Sequence, residues 1–552
     1  MEEPKVPLVP ASGLCPPYAV SRGVLADAVA VVRGDRFYTV DYHPRKLTNW
    51  GFSEAKSDLE IDNGCVFYKL FLRAFPNHFD TNSVYAHYPL TIPTEMEKTL
   101  NVLGKAQKYS FSRPVQHATR PKVIFSYSAA DSILANQQIF RTPYGKAMDL
   151  LRGEHTKYSV YASESQASLP SRKLMSQALY MDGWAKKVRS YYETTTTKLI
   201  KEKSYRLADV KQVDIIRDVT NMVPVNFCAE LFGFPLKTAE RPNGYFTEVE
   251  LYLVLSSIFV CVFFDLDPAE SFALRQKANK ATQFLGDAVA AHLDEYKRGG
   301  VIHWLSSKLS TQQTSSLKDY SHHVIDTLLG SKLDTETIVW GHILGTVGGL
   351  APKQAQLFGQ IMDYFMSEGK EHVPDIRHLA LQPYDDEEAF DLLTKYVLEA
   401  SRLNGETGVF RTAASDVVIP DSLNGQQREV SLQKGDRVMV NIKSASRDPF
   451  IFPDPDTLRL DRPIDSYIHL GWGSEEGRPL MRVALTAMLR AVARLDNLRA
   501  VKGPQGKVAK VVGKLPGQDD EVPFSAEYHQ YLTENWDQFW PFPTCKSPCL
   551  LV

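Results

Sequence analysis

A chain of 552 residues, with 43% apolar and 23% charged side chains, is long enough for one large domain and a smaller piece, and its composition is that of a globular protein. A formal net charge of −2 without basic tails gives no footprint for nucleic acid or an acidic membrane surface. Six cysteines (Cys15, Cys65, Cys228, Cys261, Cys545, Cys549) are too few for a disulfide scaffold and fit a reduced, cytoplasmic protein, and Cys545 and Cys549 have no nearby Cys or His cluster to complete a zinc site.

In chain order, the opening MEEPKVPLVPASGLCPPYAV lacks the basic flank and apolar core of a secretory signal. Residues 1–100 then differ from the rest, with a helix-like run from Val20 to Val32, the segment RGDRFYTVDY and the amphipathic VFYKLFLRAF. Turn formers between Pro93 and Pro121 mark a boundary, which divides the chain into 1–100 and 101–552. The run VIFSYS (Val123 to Ser128) reads as a strand, followed by the helical pattern SAADSILANQQIF. Helical patterns dominate from Lys173 to Leu403, so the class is mainly α with small β-sheets. The longest apolar run, Leu251 to Phe264, is shorter than the roughly 20 residues that cross a bilayer and reads as a buried helix, with a membrane-dipping gate as the lesser alternative.

The stretch from Asp334 to Gly369 is long enough for a central helix, with Gly345, Gly348 and Gly349 weakening it and Pro352 expected to kink it. Asp385 to Asn404 opens on acidic residues, places Phe390, Leu393 and Val397 on one face and stops at Gly405, which defines a second helix. Near its end Glu399 and Arg402 share a face and can pair. Such spacing is common, and by itself it reads as a solvated surface pair. Nine residues later Arg411 lies in the strand-like GVFRTAA. The segment EVSLQKGDRVMVNI alternates on both sides of Lys434-Gly435-Asp436, which predicts a hairpin. Asp448-Pro449, Asp461-Arg462-Pro463, Gly471-x-Gly473 and an amphipathic helix follow.

The order of these pieces resembles the haem half of the cytochromes P450. The resemblance implies a cytochrome P450-like fold, a structural ion network of Glu399, Arg402 and Arg462, and Arg411 at the position that binds a haem propionate. In that family the loop runs Phe-Gly-x-Gly-x-His/Arg-x-Cys-x-Gly, and its cysteine thiolate ligates iron. Here the loop reads Leu-Gly-Trp-Gly-Ser-Glu-Glu-Gly-Arg-Pro from Leu470. Gly477 therefore stands at the thiolate position, Glu475 faces a propionate with like charge, and Pro479 replaces the last glycine. Haem is implied by family, yet its ligand is missing. His469 is the nearest alternative ligand.

Further residues narrow the resemblance to the fungal fatty-acid dioxygenases that make psi-factor oxylipins. RGDRFYTVDY, LTNWGF and NGCVFYKLFLRAFPNHF are similar to the end of their animal-type haem peroxidase domain, and YLTENWDQFWPFP to their tail. The Tyr-x-Trp-His motif that such a dioxygenase requires is absent, so residues 1–100 read as a remnant of it. Members that isomerise hydroperoxides carry Asn-x-x-Gln on the distal helix, where this chain has Lys353 and Gln356. The resemblance implies a haem-family oxidoreductase acting on a fatty acid or its hydroperoxide, with the cytochrome P450 isomerase or monooxygenase activity lost. The alternative is a non-catalytic structural or oligomerisation module, which the retained framework fits equally and which allows a homo-oligomer. Cytoplasmic location, with lipid-body or membrane-surface association, is the accompanying expectation.

Overall fold

The computed structural model describes residues 121–501 apart from 153–159, 161–164, 208–209, 235, 239–240, 243, 264–271, 301–316, 406–407, 424 and 471–476; beyond them it describes only 506, 511–512, 529–530 and 549–551. The expectations for residues 1–100, and those for Gly471, Gly473 and Glu475, lie outside the described residues.

The chain enters through β1 (Lys122–Ile124), α1 (Tyr127–Ala135), β2 (Phe140–Arg141) and α2 (Tyr144–Arg152), followed by α3 (Ser165–Leu179) and α4 (Trp184–Lys203). A short sheet segment, β3 (Tyr205–Leu207) and β4 (Val210–Asp214), leads through a wide helical turn at Ile215–Thr220 into α5 (Met222–Leu231), α6 (Glu248–Phe263), α7 (Phe272–Glu295) and α8 (Lys318–Gly330). The central helix is α9 (Leu344–Met366), entered through one turn at Thr335–Thr337 and a π-helical segment at Ile338–Ile343. After it come α10 (Val373–Ala380), α11 (Glu387–Asn404), β5 (Gly408–Ala413), β6 (Val417–Leu423), β7 (Gln426–Leu432), β8 (Arg437–Asn441) and α12 (Arg478–Ala493), and finally β9 (Val511–Val512), β10 (His529–Gln530) and β11 (Cys549–Leu551).

Local chemistry explains the main elements. Asp386 caps α11 by accepting a bond from the Ala389 N–H at 2.9 Å, and Glu387 and Glu388 place negative charge on its first turn. In α9 one of the glycines, Gly348, has a packing role that the sequence pattern did not reveal. A Cβ on Gly348 would lie 2.6 Å from Cγ2 of Ile258, so this glycine lets α6 lie close against α9. The helix also continues through Pro352, whose missing N–H leaves the Gly348 carbonyl without its usual helical donor. The apolar run of α6 is buried along nearly its whole described length, and among the described residues no helix is long and apolar enough to cross a membrane.

The expected hairpin at Lys434-Gly435-Asp436 does not form. β7 pairs antiparallel with β6 across Gly425, whereas β8 pairs with β5 and with β1, giving a four-stranded order β1-β8-β5-β2. The turn is real, with Gly435 in the left-handed region at φ 95°. Its bonds run sideways, however, from Gly435 N to the Ala413 carbonyl and from Ala413 N to the Asp436 carbonyl, so it hands the chain from one sheet to another. Alternation marks two half-buried strands, but it does not say that they are partners. One large core joins the helices from α2 to α12, and a smaller one lies between the four-stranded sheet and α1.

Candidate functional site

The buried end of α11 brings three of the sequence-derived residues together. Arg402 donates from Nε and Nη2 to the two carboxylate oxygens of Glu399, at 2.7 and 2.9 Å. Arg462 Nε reaches the same carboxylate at 3.3 Å, and the Arg459 N–H and Tyr467 hydroxyl add bonds at 2.9 and 2.8 Å. Arg402 also donates to the carbonyls of Ser446, Pro455 and Thr457. Glu399 and Arg402 are buried, so the solvated surface pair is not what the fold makes of this spacing. Burial alone pushes the Glu399 carboxyl up, but Arg402, the Arg459 N–H and Tyr467 outweigh it and hold it below the usual carboxylate range. The network ties α11 to the segment before α12.

Gly477 lies at the amino end of α12, followed directly by Arg478 and Pro479. Glycine offers no ligand atom. Cys228 in α5 and Cys261 in α6 are free thiols, both buried in the helical core. The residues at this helix start therefore do not fit a thiolate-ligated haem. Arg411, on β5, is buried, donates from Nη1 to the Phe410 carbonyl at 2.8 Å and lies beside Tyr144. Burial, with the nearby Arg172 charge, pulls its pKa down despite the help of Tyr144.

On α9, Lys353 and Gln356 keep part of their surface accessible while most of the helix around them is buried. Burial lowers the Lys353 ammonium to about 8. His469 is buried, and its Nε2 lies 2.7 Å from Ser401 Oγ. Burial pushes this imidazole down to about 3, helped by the positive charges of Lys353, Arg402 and Arg478. Lys353 and His469 thus influence each other across the space between α9 and the segment entering α12.

No family model matches the chain. It is 43% identical over 551 residues to psi-producing oxygenase A of Emericella nidulans, covering 99% of this chain and 49% of that protein. This chain is a homologue of the fungal psi-producing oxygenases. The homologues include the bifunctional dioxygenase (DOX)-epoxy alcohol synthase (EAS) of Fusarium oxysporum, 43% identical over 98% of this chain and 41% of that one, and linoleate 10R-lipoxygenase of Aspergillus fumigatus, 40% identical over 98% and 47%. The chain spans about half the length of these curated relatives. Among solved structures, CalO2 and the cytochrome P450 CYP109B1 of Bacillus subtilis both align with a TM-score of 0.51 at 16% identity, covering 76% and 75% of this chain and 93% and 96% of theirs. The oxygenase homologue has the cytochrome P450 fold.

A second buried ion cluster escaped the sequence reading. Glu193 on α4 receives two bonds from Arg490 Nη1 on α12, at 3.0 and 3.1 Å, and one from Arg189 at 3.3 Å. Arg490 also donates to the carbonyls of Gln382 and Pro383. The available signal was an arginine on the apolar face of α12, in phase with the buried Thr486. Tyr467 gave no such signal, because its partner lies 68 residues away in sequence.

Proposed function

We propose that this chain is part of a fatty-acid, linoleate-type oxygenase that makes oxylipins, in which the cytochrome P450-like unit has lost haem-thiolate chemistry. The observation that carries the reading is Gly477 at the start of α12, where the family's thiolate would stand. Relatives named as a linoleate 10R-lipoxygenase and a linoleate diol synthase support the substrate class. Lys353 and Gln356 stand at the distal positions where isomerase-active relatives carry amides, and Arg411 at the propionate position. Residues 1–100 belong to this reading as the remnant of a haem peroxidase-like domain, and 101–552 as the cytochrome P450-like domain.

The test is haem titration of the purified chain, followed by a reduced carbon monoxide spectrum and an assay with linoleate hydroperoxide. Neither a thiolate-type spectrum nor turnover is expected. Turnover of the hydroperoxide by this chain would end the reading.

A second reading, a non-catalytic structural or oligomerisation module, is favoured by one observation. The Glu399 network forms, through Arg402, Arg462 and Tyr467, although glycine stands at the ligand position. Such a network holds a fold together whether or not a reaction follows. Light scattering of the purified chain distinguishes the two, because a module that assembles copies forms oligomers on its own.

A further inference from the structure

The segment between β8 and α12 carries an apolar knob. In Pro449-Phe450-Ile451-Phe452-Pro453 only Phe452 is buried, and the other four residues are exposed. Phe450 is 85% exposed, more than any other large apolar residue among those described. Apolar side chains scattered singly over a surface are ordinary, but four exposed in one five-residue run make a patch that marks an interaction site.

The knob is held firmly. The Asp448 carboxylate accepts from the Phe450 N–H at 3.1 Å and the Tyr127 N–H at 3.0 Å, and its carbonyl accepts from the Ile451 and Phe452 N–H groups at 3.1 and 2.8 Å. From the core side, Arg402 and Arg462 donate to the carbonyls of Ser446, Asp454, Pro455 and Thr457. The Glu399 network thus supports a surface feature as well as the core. A patch already fixed in place loses little entropy when it is covered.

Its rim is acidic. Asp454, Asp456, Asp461 and Asp465 are all exposed. Arg447 pairs with Asp456, and Arg459 with Asp454 and Asp461, but both arginines are half-buried, and Arg462 is taken up by Glu399. Negative charge is therefore in excess around the knob, and it calls for a basic, partly apolar partner.

The chain itself supplies one. Residues 98–122 contain Lys98, Lys105, Lys108, Arg113, Arg120 and Lys122 and no acidic residue, with Leu100, Leu103, Tyr109 and Phe111 among them. Residues 98–120 lie outside the described residues, and they lead directly into β1 and so to Tyr127, which is bonded to Asp448. The five residues from Lys122 to Tyr127 span at most about 18 Å. The Tyr127 ring lies 6.0 Å from that of Phe452. Phe111 precedes Lys122 by 11 residues, which extend to about 36 Å, so the segment is long enough to turn back to Phe450. Tethered so closely, it meets the knob at an effective concentration far above that of a separate chain.

We infer that Phe450 and Ile451 form the docking site for the basic segment 98–120 of this same chain, with its apolar residues over the knob and its lysines against the aspartates. The contact anchors the residues before 98 beside the part of the fold that the Glu399 network holds.

Photo-cross-linking of the purified full chain carrying Phe450→benzoylphenylalanine tests it, with the linked peptides identified by mass spectrometry. The expected product is a link within one chain to residues 98–120. Adding Lys105→Glu and Lys108→Glu to that chain should lower the yield about threefold, as the loss of exposed charge pairs implies. Amide exchange gives a second readout: Phe450→Asp should speed exchange in residues 98–120 about tenfold and leave β1 and β8 unchanged, which separates undocking from unfolding. A link to a second copy, a link elsewhere in the chain or no link overturns the inference. So does a yield indifferent to the two charge reversals, or exchange that is unchanged in residues 98–120 or that rises in β1 and β8.

Discussion

Ser401 and His469 meet in the core. Ser401 Oγ lies 2.7 Å from the imidazole Nε2 and 2.7 Å from the Val397 carbonyl, so one buried hydroxyl joins α11 to the segment entering α12.

The first prediction concerns acid. The folded pKa of His469, about 3, lies below the ordinary histidine value of about 6.5, so between these pH values the unfolded chain binds the proton that the folded chain refuses. Stability is fully present above the ordinary value and is lost as pH falls towards 3. Nitrogen NMR should show His469 neutral throughout pH 5 to 7. Ser401→Ala should destabilise by about 1–2 kcal/mol because it leaves the buried Nε2 without its partner. An imidazolium signal from His469 at pH 6 would refute the assignment.

The second prediction compares the two buried carboxylates. Glu399→Ala leaves Arg402 and Arg462 in the core without their counter-charge, and should cost about 3–5 kcal/mol in urea unfolding. Glu193→Ala strands Arg490 in the same way, and a similar loss is expected. The acid profiles add a check at Glu399. Its folded pKa is depressed, so its contribution is present above the ordinary carboxylate value and disappears as pH falls through the folded one. Glu399→Ala should accordingly flatten the acid limb of the stability curve. An unchanged limb would show that the network does not supply that stability.

The two networks also show how much the sequence could tell. Glu399 and Arg402 are three residues apart on a helix whose acidic start, apolar face and terminal glycine were all legible, so their pairing was open to local reasoning. Glu193 and Arg490 are 297 residues apart, and local spacing cannot connect them. The same limit explains the strands: alternation located β7 and β8, but their partners were chosen by tertiary contacts that put them in different sheets. Gly477 was readable because a missing sulfur is a property of the sequence itself. The polar residues of α9 were only half readable. Lys353 and Gln356 stood out, whereas Gln360 became informative when its amide was found buried without partners.

The third prediction uses the pH dependence of Lys353, whose charge acts with those of Arg402 and Arg478 on the ring of His469. Its folded pKa, about 8, lies below the ordinary lysine value of about 10.4, so the folded state resists the proton that the unfolded state binds. The sign is therefore opposite to that of a paired lysine. Its destabilising effect is fully present below pH 8 and fades as pH rises from there towards the ordinary value. Lys353→Met removes the group and should stabilise the chain at pH 7 by about 2 kcal/mol, with the advantage over the parent shrinking at pH 9 and nearly gone by pH 10.5. Urea unfolding of parent and variant at these three pH values measures it. A carboxylate paired with Lys353 would reverse the result, because the variant would then be less stable at pH 7.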